Sequence, residues 1–411
     1  VADIRHHLAL YRKRDTLRRR HDHGVTTDRA STRRTAPIAL LSIGHACVDV
    51  HQGAVAALVP FLVAEREYTY AAASGVVLAA SLLSSVVQPL FGAATDRWRM
   101  PWLLPASTVV AGLGIALSGV TGSYALTLAA VALSGLGVAA YHPEAARVAR
   151  AASRGSHTAM GWFSLGGNLG FAASPLLVTG VAAVGGLDAS PLLVVPALLG
   201  AVFSAAALRA VAARTPAGGG GAPAPAGPDD WPSFLRLSGA VVCRSIVFVG
   251  LSAFIALYAT QRTGGGEAAG TAALFLLYLG GAVGTVAGGR LATRFGRLPV
   301  VRWSYALTVL AVAGIVFVPG PLLYLFVALT SAGLYVPFSL HITLGQDYLP
   351  GRVGTAGGVT LGLTVSVGGV AGPFIGALAD AASLQTALAP LIALPAVGWL
   401  LLRRLREPAP A

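Results

Sequence analysis

Charge is what this sequence has least of. Only 11% of its 411 residues are Asp, Glu, Lys or Arg, and just 16 of those are acids. Soluble domains of this length carry about twice that share, so a water-soluble pair of domains is excluded. Lysine occurs once, as Lys13; arginine supplies the rest of a net charge of +13. Cysteine occurs twice, as Cys47 and Cys243, both inside apolar runs. That placement reads as two small buried side chains, not a disulfide or a metal pair. No G-x-x-x-x-G-K-[ST] phosphate loop occurs, which excludes ATP-driven work by this chain. Neither a metal-ligand cluster nor a nucleophile–His–acid set stands out by spacing. The sequence therefore reads as a non-enzyme, with no cofactor and no metal.

What is present is apolar surface in long runs. Hydrophobic residues make up 55% of the chain, and the mean hydropathy is +0.71. Twelve apolar segments are predicted: 38–63, 73–95, 102–120, 124–145, 158–182, 189–209, 234–260, 269–292, 299–318, 321–345, 354–379 and 384–403. Each is close to the roughly 20 residues a helix needs to cross a bilayer. Gly and Pro inside several of them are normal for packed membrane helices.

The arginines fall between these segments and on alternate sides. Arg97, Arg99, Arg147, Arg150, Arg154, Arg209, Arg214, Arg236, Arg290, Arg294, Arg297, Arg302, Arg352, Arg403, Arg404 and Arg406 share one side with the tail 1–37, which holds 10 of the 29 basic residues. The other side has Arg66 and Arg262 alone. By the positive-inside rule both termini are expected in the cytoplasm. Arginines dispersed in this way do not form a nucleic-acid surface; the partner they indicate is the bilayer.

Residues 211–232, including GGGGAPAPAGPDDWP, read as a flexible cytoplasmic linker. It divides the chain into a half at 38–210 and a half at 233–404, with a short tail at 405–411. The halves are related. LSIGHACV at 41–48 lies over LSGAVVCR at 237–244, offset by 196. GAATDRWR at 92–99 lies over GRLATRFG at 289–296, offset by 197. Arg154 and Pro175 lie over Arg352 and Pro373, offset by 198. The expected fold is thus an all-α membrane protein of two parallel, pseudo-symmetric six-helix bundles, with a cavity between them.

Asp49 is the acid placed deepest in a span. His45, four residues earlier, shares its helical face, and Gln52 continues that face one turn on. Two readings attach to it: a proton-coupling carboxylate, with His45 beside it, or a buried acid bonded to a neighbouring helix. Intramembrane acids are costly and usually line pathways. Arg244, about ten residues into the seventh span, needs an anion for the same reason; Asp49 or an anionic solute would serve. Position 245 overlies Asp49 in the repeat, so an Asp49–Arg244 pair across the cavity is expected. Gln52, Gln88, Asn168 and His341 are further candidates for lining the binding cavity, with helix packing as the alternative role.

GAATDRWR at the end of the second span resembles the loop signature of the major facilitator superfamily. The stretches QPLFGAATDRWRMPWLLP at 88–105, HPEAARVAR at 142–150, GGNLG at 166–170 and LPGRVGTAGG at 349–358 resemble its fosmidomycin-resistance family. The resemblance implies the major facilitator fold in a bacterial plasma membrane and efflux of an antibiotic, an anionic or amphipathic drug, in exchange for protons. The proton gradient would be the energy source, with no obligate protein partner. It also implies a cytoplasmic gate built on Gly92, Asp96 and Arg97; Glu144, Arg147 and Arg150 either join that gate or are ordinary interface charge. The second-half copy carries Thr293 in place of the acid, and the fourth span 124–141 lacks the arginine common in drug–proton antiporters. His142, Pro143 and Glu144 are expected at the cytoplasmic surface, with Glu144 and Arg147 as an exposed pair. Carriage of a physiological solute such as a sugar, nucleoside or metabolite is the alternative, and a non-transporting membrane sensor the third.

Overall fold

The computed structural model describes residues 36–98, 100–153, 157–213, 228–357, 359–360 and 364–408. All secondary structure among these residues is helical. The tail at 1–35 and residues 214–227 of the expected linker lie outside the described residues.

The chain runs α1 (Ala36–Arg66), α2 (Tyr70–Arg97), α3 (Leu103–Ser118), α4 (Tyr124–Ser153), α5 (His157–Gly185) and α6 (Val194–Ala212) in its first half. The second half runs α7 (Trp231–Thr263), α8 (Gly266–Phe295), α9 (Arg297–Phe317), α10 (Leu322–Tyr348), α11 (Thr364–Ala381) and α12 (Leu384–Leu402). Most are long and apolar enough to cross a membrane; α3 and α11 are shorter but equally apolar. All twelve predicted segments are present, in a multi-pass all-α fold. Helix α6 runs to Ala212 and α7 starts at Trp231. Asp230 caps α7 by accepting from Ser233 N (3.1 Å), and Asp229 accepts from Gly351 N (3.0 Å) and pairs with Arg352 (3.4 Å).

Local chemistry sets the helix ends. Thr69 caps α2 by accepting from Ala72 N, and Ser383 caps α12 by accepting from Thr386 N. Gly264 closes α7 with φ +66°, a left-handed conformation that a side chain disfavours. Pro191 and its neighbours set a 3-10 turn, Gly186–Leu193, between α5 and α6. Helix α10 is interrupted at Val336–Pro337, because proline cannot donate the hydrogen bond that would carry the helix through.

Glycines let helices meet backbone to backbone. Gly166 and Gly170 bring α5 onto Ser42 and Ala46 of α1; Gly280, Gly284 and Gly288 bring α8 onto Ser331, Tyr335 and Val336 of α10. These seams are packing surfaces, as small residues in membrane helices usually are. Gly372 and Gly376 belong to a different class of contact, since they face Ser74 and Tyr70 of α2, in the other half.

The apolar core is distributed unevenly. One continuous cluster joins both halves through mid-depth and toward the end bearing Arg66 and Arg262; it includes Leu58 and Phe61 of α1, Leu251 and Phe254 of α7, and Leu274 of α8. Toward the arginine-rich end the core divides. Leu41, Leu104, Val138, Tyr141 and Val148 cluster in the first half, and Phe234, Val301, Leu340 and Tyr348 in the second. The halves are thus joined at one end and have separate cores at the other.

Candidate functional site

Helix α1 rises about 1.5 Å per residue, which puts Asp49 roughly 20 Å from its start. Asp49 is 6% exposed. Its Oδ2 lies 3.3 Å from Nε2 of His45, and its Oδ1 lies 3.2 Å from Nε2 of His142 on α4. Three ionisable groups therefore meet where sequence spacing linked only two.

The other ring nitrogens fix the chemistry of the two imidazoles. Nδ1 of His45 is 2.9 Å from the carbonyl of Phe163, and Nδ1 of His142 is 2.9 Å from the carbonyl of Val138. A carbonyl oxygen can only accept, so both Nδ1 atoms carry hydrogen. Each Nε2 then faces the carboxylate with a lone pair or with a second, mobile proton. A lone pair opposite a carboxylate lone pair is repulsive, so each of the two contacts is favourable only when a proton lies in it. The cluster is thus able to take up and release protons between fixed partners.

The surroundings hold this geometry. The His45 ring stacks on Phe163, with centroids 4.3 Å apart, and meets His142 edge-on at 5.3 Å. Gly167 on α5 leaves room for the pair: a Cβ there would fall 2.5 Å from Asp49 Oδ2 and 2.7 Å from His45 Nε2. His51 faces away from the cluster, with Nε2 2.9 Å from the Leu193 carbonyl. His142 keeps 24% of its side chain exposed, which leaves the cluster an opening.

One helical turn beyond Asp49, Gln52 lines a cavity between the halves. Its wall is mostly apolar, with aromatic faces from Phe171, Phe248 and Tyr278; Ser81 and Ser84 lie along it, while the hydroxyls of Ser134 and Ser252 are buried. Asn168 stands at the junction of the halves, donating from Nδ2 to Thr285 Oγ1 of α8 (3.3 Å). Gln88 is half-buried on α2 and does not line this cavity.

Arg244 does not pair with Asp49. It is 6% exposed, donates from a terminal nitrogen to the Leu334 carbonyl (3.0 Å) and sits over the Phe338 ring at 5.1 Å. Its Nε has no partner, and among the described residues no acid pairs with it. Geometry explains the difference. The pseudo-equivalent of Asp49 is position 245, and one residue along a helix turns a side chain by about 100°. Arg244 therefore turns into its own half, toward α10, as Asp49 turns toward α4. His341 is 2% exposed and lies edge-on to Tyr305, 5.8 Å between centroids; neither ring nitrogen has a hydrogen-bond partner.

The gate candidates share one end of α2 and α4. Glu144 and Arg147 form a two-point ion pair, Arg147 Nε to Oε2 at 2.8 Å and a terminal nitrogen to Oε1. The pair is not the exposed one expected, for Glu144 is 0% exposed. Helix α4 continues to Ser153, eight residues past its predicted end, and carries His142 and Glu144 within packed structure. Gly92 faces Pro143, Arg97 lies over Trp98 at 5.2 Å, and Arg150 is exposed. Asp96 is in the last turn of α2, but its side chain is outside the described residues.

Twelve helices around a central cavity match a known family along most of the chain. The profile described as Major Facilitator Superfamily matches residues 41–373. The chain belongs to the Major Facilitator Superfamily. The fosmidomycin resistance protein of Escherichia coli (strain K12) is 29% identical over 376 residues, spanning 88% of this chain and 90% of the relative. YfnC of Bacillus subtilis (strain 168), an uncharacterized MFS-type transporter, is 28% identical over 373 residues, again 88% of this chain and 90% of the relative. Among solved structures, a bacterial homologue of the human lysosomal transporter Spinster, inward-facing and occupied, aligns over 90% of this chain and 96% of its own, with TM-score 0.75 and 15% identity. A point mutant of the nucleoside transporter NupG aligns over 90% of this chain and 99% of its own, with TM-score 0.69 and 12% identity. These structures share the fold. As a superfamily member the chain is a secondary-active, alternating-access transporter of a small solute, and not an enzyme.

Proposed function

We propose that this transporter carries a small polar metabolite or related physiological solute, coupled to protons held at Asp49, His45 and His142. The observation that carries the reading is the His–Asp–His cluster one helical turn from the central cavity, where Gln52 stands among mostly apolar side chains. Protons taken up there alter the charge beside the cavity, so solute affinity and proton occupancy are linked. Gln52 and Asn168 would contact solute, and Arg244 and His341, buried with nitrogens left unpartnered, would supply positive charge or donors to an anionic group. Gln88, half-buried in α2, would enter a contact only in another conformation.

The gate would close where the cores are now separate. Asp96, Arg97, Glu144, Arg147 and Arg150 all lie at that end, and Gly92 lets α2 approach Pro143. The arginine asymmetry supports placing this end in the cytoplasm of a bacterium, with the described conformation open inward.

A second reading, antibiotic efflux by proton exchange, is supported by the likeness to the fosmidomycin resistance protein and by the stretch HPEAARVAR. The two separate in one experiment. Protein in proteoliposomes is screened for solute-dependent proton flux against a panel of metabolites and antibiotics. Flux with metabolites alone supports the first reading, and flux with antibiotics alone the second. Proton flux retained in Asp49→Asn at the wild-type rate would overturn the assignment of the coupling site.

A further inference from the structure

We propose that His45, Asp49 and His142 also form a binding site for one divalent transition-metal ion of the zinc class. The same lone pairs then hold protons or a metal, in competition.

The donor set suits such an ion. Two imidazole nitrogens and one carboxylate match the ligands zinc takes, whereas calcium and magnesium require six or more oxygens. Zinc bonds of about 2.0–2.1 Å in a tetrahedron place ligand atoms roughly 3.3–3.4 Å apart. The His45–Asp49 and His142–Asp49 separations are 3.3 and 3.2 Å. All three donor atoms lie within 4.8 Å of one another. A modest movement of one imidazole closes the third edge.

Orientation is already set for metal. A ligating histidine commonly gives its other ring N–H to a carbonyl, which directs the free lone pair at the ion. Both histidines do so here, to Phe163 and Val138. Asp49 Oδ1 is buried and, despite its closeness to His142, has no well-aligned hydrogen-bond donor. That leaves an acceptor free for an ion within reach of both imidazoles. Gly167 keeps a side chain out of it. The partial exposure of His142 supplies a route of access and a side from which water could complete four-coordination. The three residues come from two helices, with His142 far along the chain from the other two, so no ligand-spacing motif announces them.

The test uses the purified full-length chain in detergent and reads binding, not transport. Zinc is titrated calorimetrically into wild type, Asp49→Asn and His142→Asn. Cobalt is added to wild type, where strong visible absorption reports tetrahedral coordination. The expected result is one ion per wild-type chain, an affinity reduced at least about tenfold in each variant, and a zinc-dependent rise in the wild-type unfolding temperature. Should either variant fail to fold, the cobalt spectrum of wild type still decides, because surface histidines give the weak bands of octahedral cobalt. Zinc binding undiminished in both variants would assign it to the tail, which contains His6, His7, His21 and His23, and would overturn the proposal. Absence of saturable binding to wild type would overturn it as well.

Discussion

His142 Nε2 stands 3.2 Å from Asp49 Oδ1, so α4 supplies a second imidazole to a carboxylate that already has one on its own helix. The contact ties α4, which also bears Glu144 toward the gate, to the proton site. A change in protonation at Asp49 would thereby be felt along α4.

His142→Gln should uncouple transport. Glutamine keeps polarity but cannot bind a mobile proton, so proton-driven flux should fall at least about tenfold, the effect of losing roughly 1.4 kcal/mol of proton affinity. Solute exchange without a gradient should persist. A pH-sensitive dye inside proteoliposomes, with radiolabelled counterflow as the second readout, checks both; an unchanged coupled rate refutes the role.

Arg147→Met should destabilise more than Glu144→Gln. Glu144 is wholly buried, while the Arg147 side chain is 38% exposed. Removing the arginine leaves a buried carboxylate uncompensated, at a cost of about 3–5 kcal/mol; removing the acid leaves a cation that can reach water. Thermal unfolding in detergent should rank wild type, then Glu144→Gln, then Arg147→Met. The reverse order of the two variants would contradict the burial argument.

Asp380→Ala should loosen the joined end. Asp380, at the end of α11, accepts from the Tyr70 and Ala71 N–H groups at 2.8 and 2.9 Å, capping α2 of the opposite half. A carboxylate at a helix N-terminus meets the positive end of the dipole. Loss of about 1 kcal/mol shifts a population roughly fivefold. In a background without native cysteines, maleimide labelling of Ser74→Cys, at a position 1% exposed, should accelerate severalfold with Asp380→Ala. Equal labelling rates would show that the cap does not hold this end shut.

Arg244→Met should cost function without costing stability. The guanidinium is buried with no acid beside it among the described residues, and an apolar chain of similar length avoids its desolvation, so the unfolding temperature should hold or rise. Binding of anionic solutes should fall at least about tenfold, one charge-assisted bond being worth roughly 1.5–3 kcal/mol. A sharp fall in unfolding temperature instead would mark Arg244 as a structural residue bonded to Leu334.

Asp49 could be singled out from its surroundings in the chain, because a carboxylate within an apolar run is conspicuous in one dimension. His45 followed from the helical period. His142 did not, since it falls at the end of a span when apolar residues alone are counted. It joins the site because tertiary packing sets α4 beside α1, with His142 Nε2 3.2 Å from Asp49 Oδ1. The burial of Glu144 is hidden from the sequence for another reason: a charged pair three residues apart reads as surface, and only the neighbouring helices bury it.

Membership of the fold was determined by the sequence itself, in the hydropathy runs, the arginine asymmetry and the near-constant repeat offset, all of which are periodic and local. Which charged groups meet across helices was decided by tertiary structure alone. The repeat brought Arg244 to the pseudo-equivalent depth of Asp49, but a one-residue phase difference turns it about 100°. Helix rotation is set by how whole faces interlock with their neighbours, as Gly166 and Gly170 do against α1, and that packing directs Asp49 to His142 and Arg244 to Leu334.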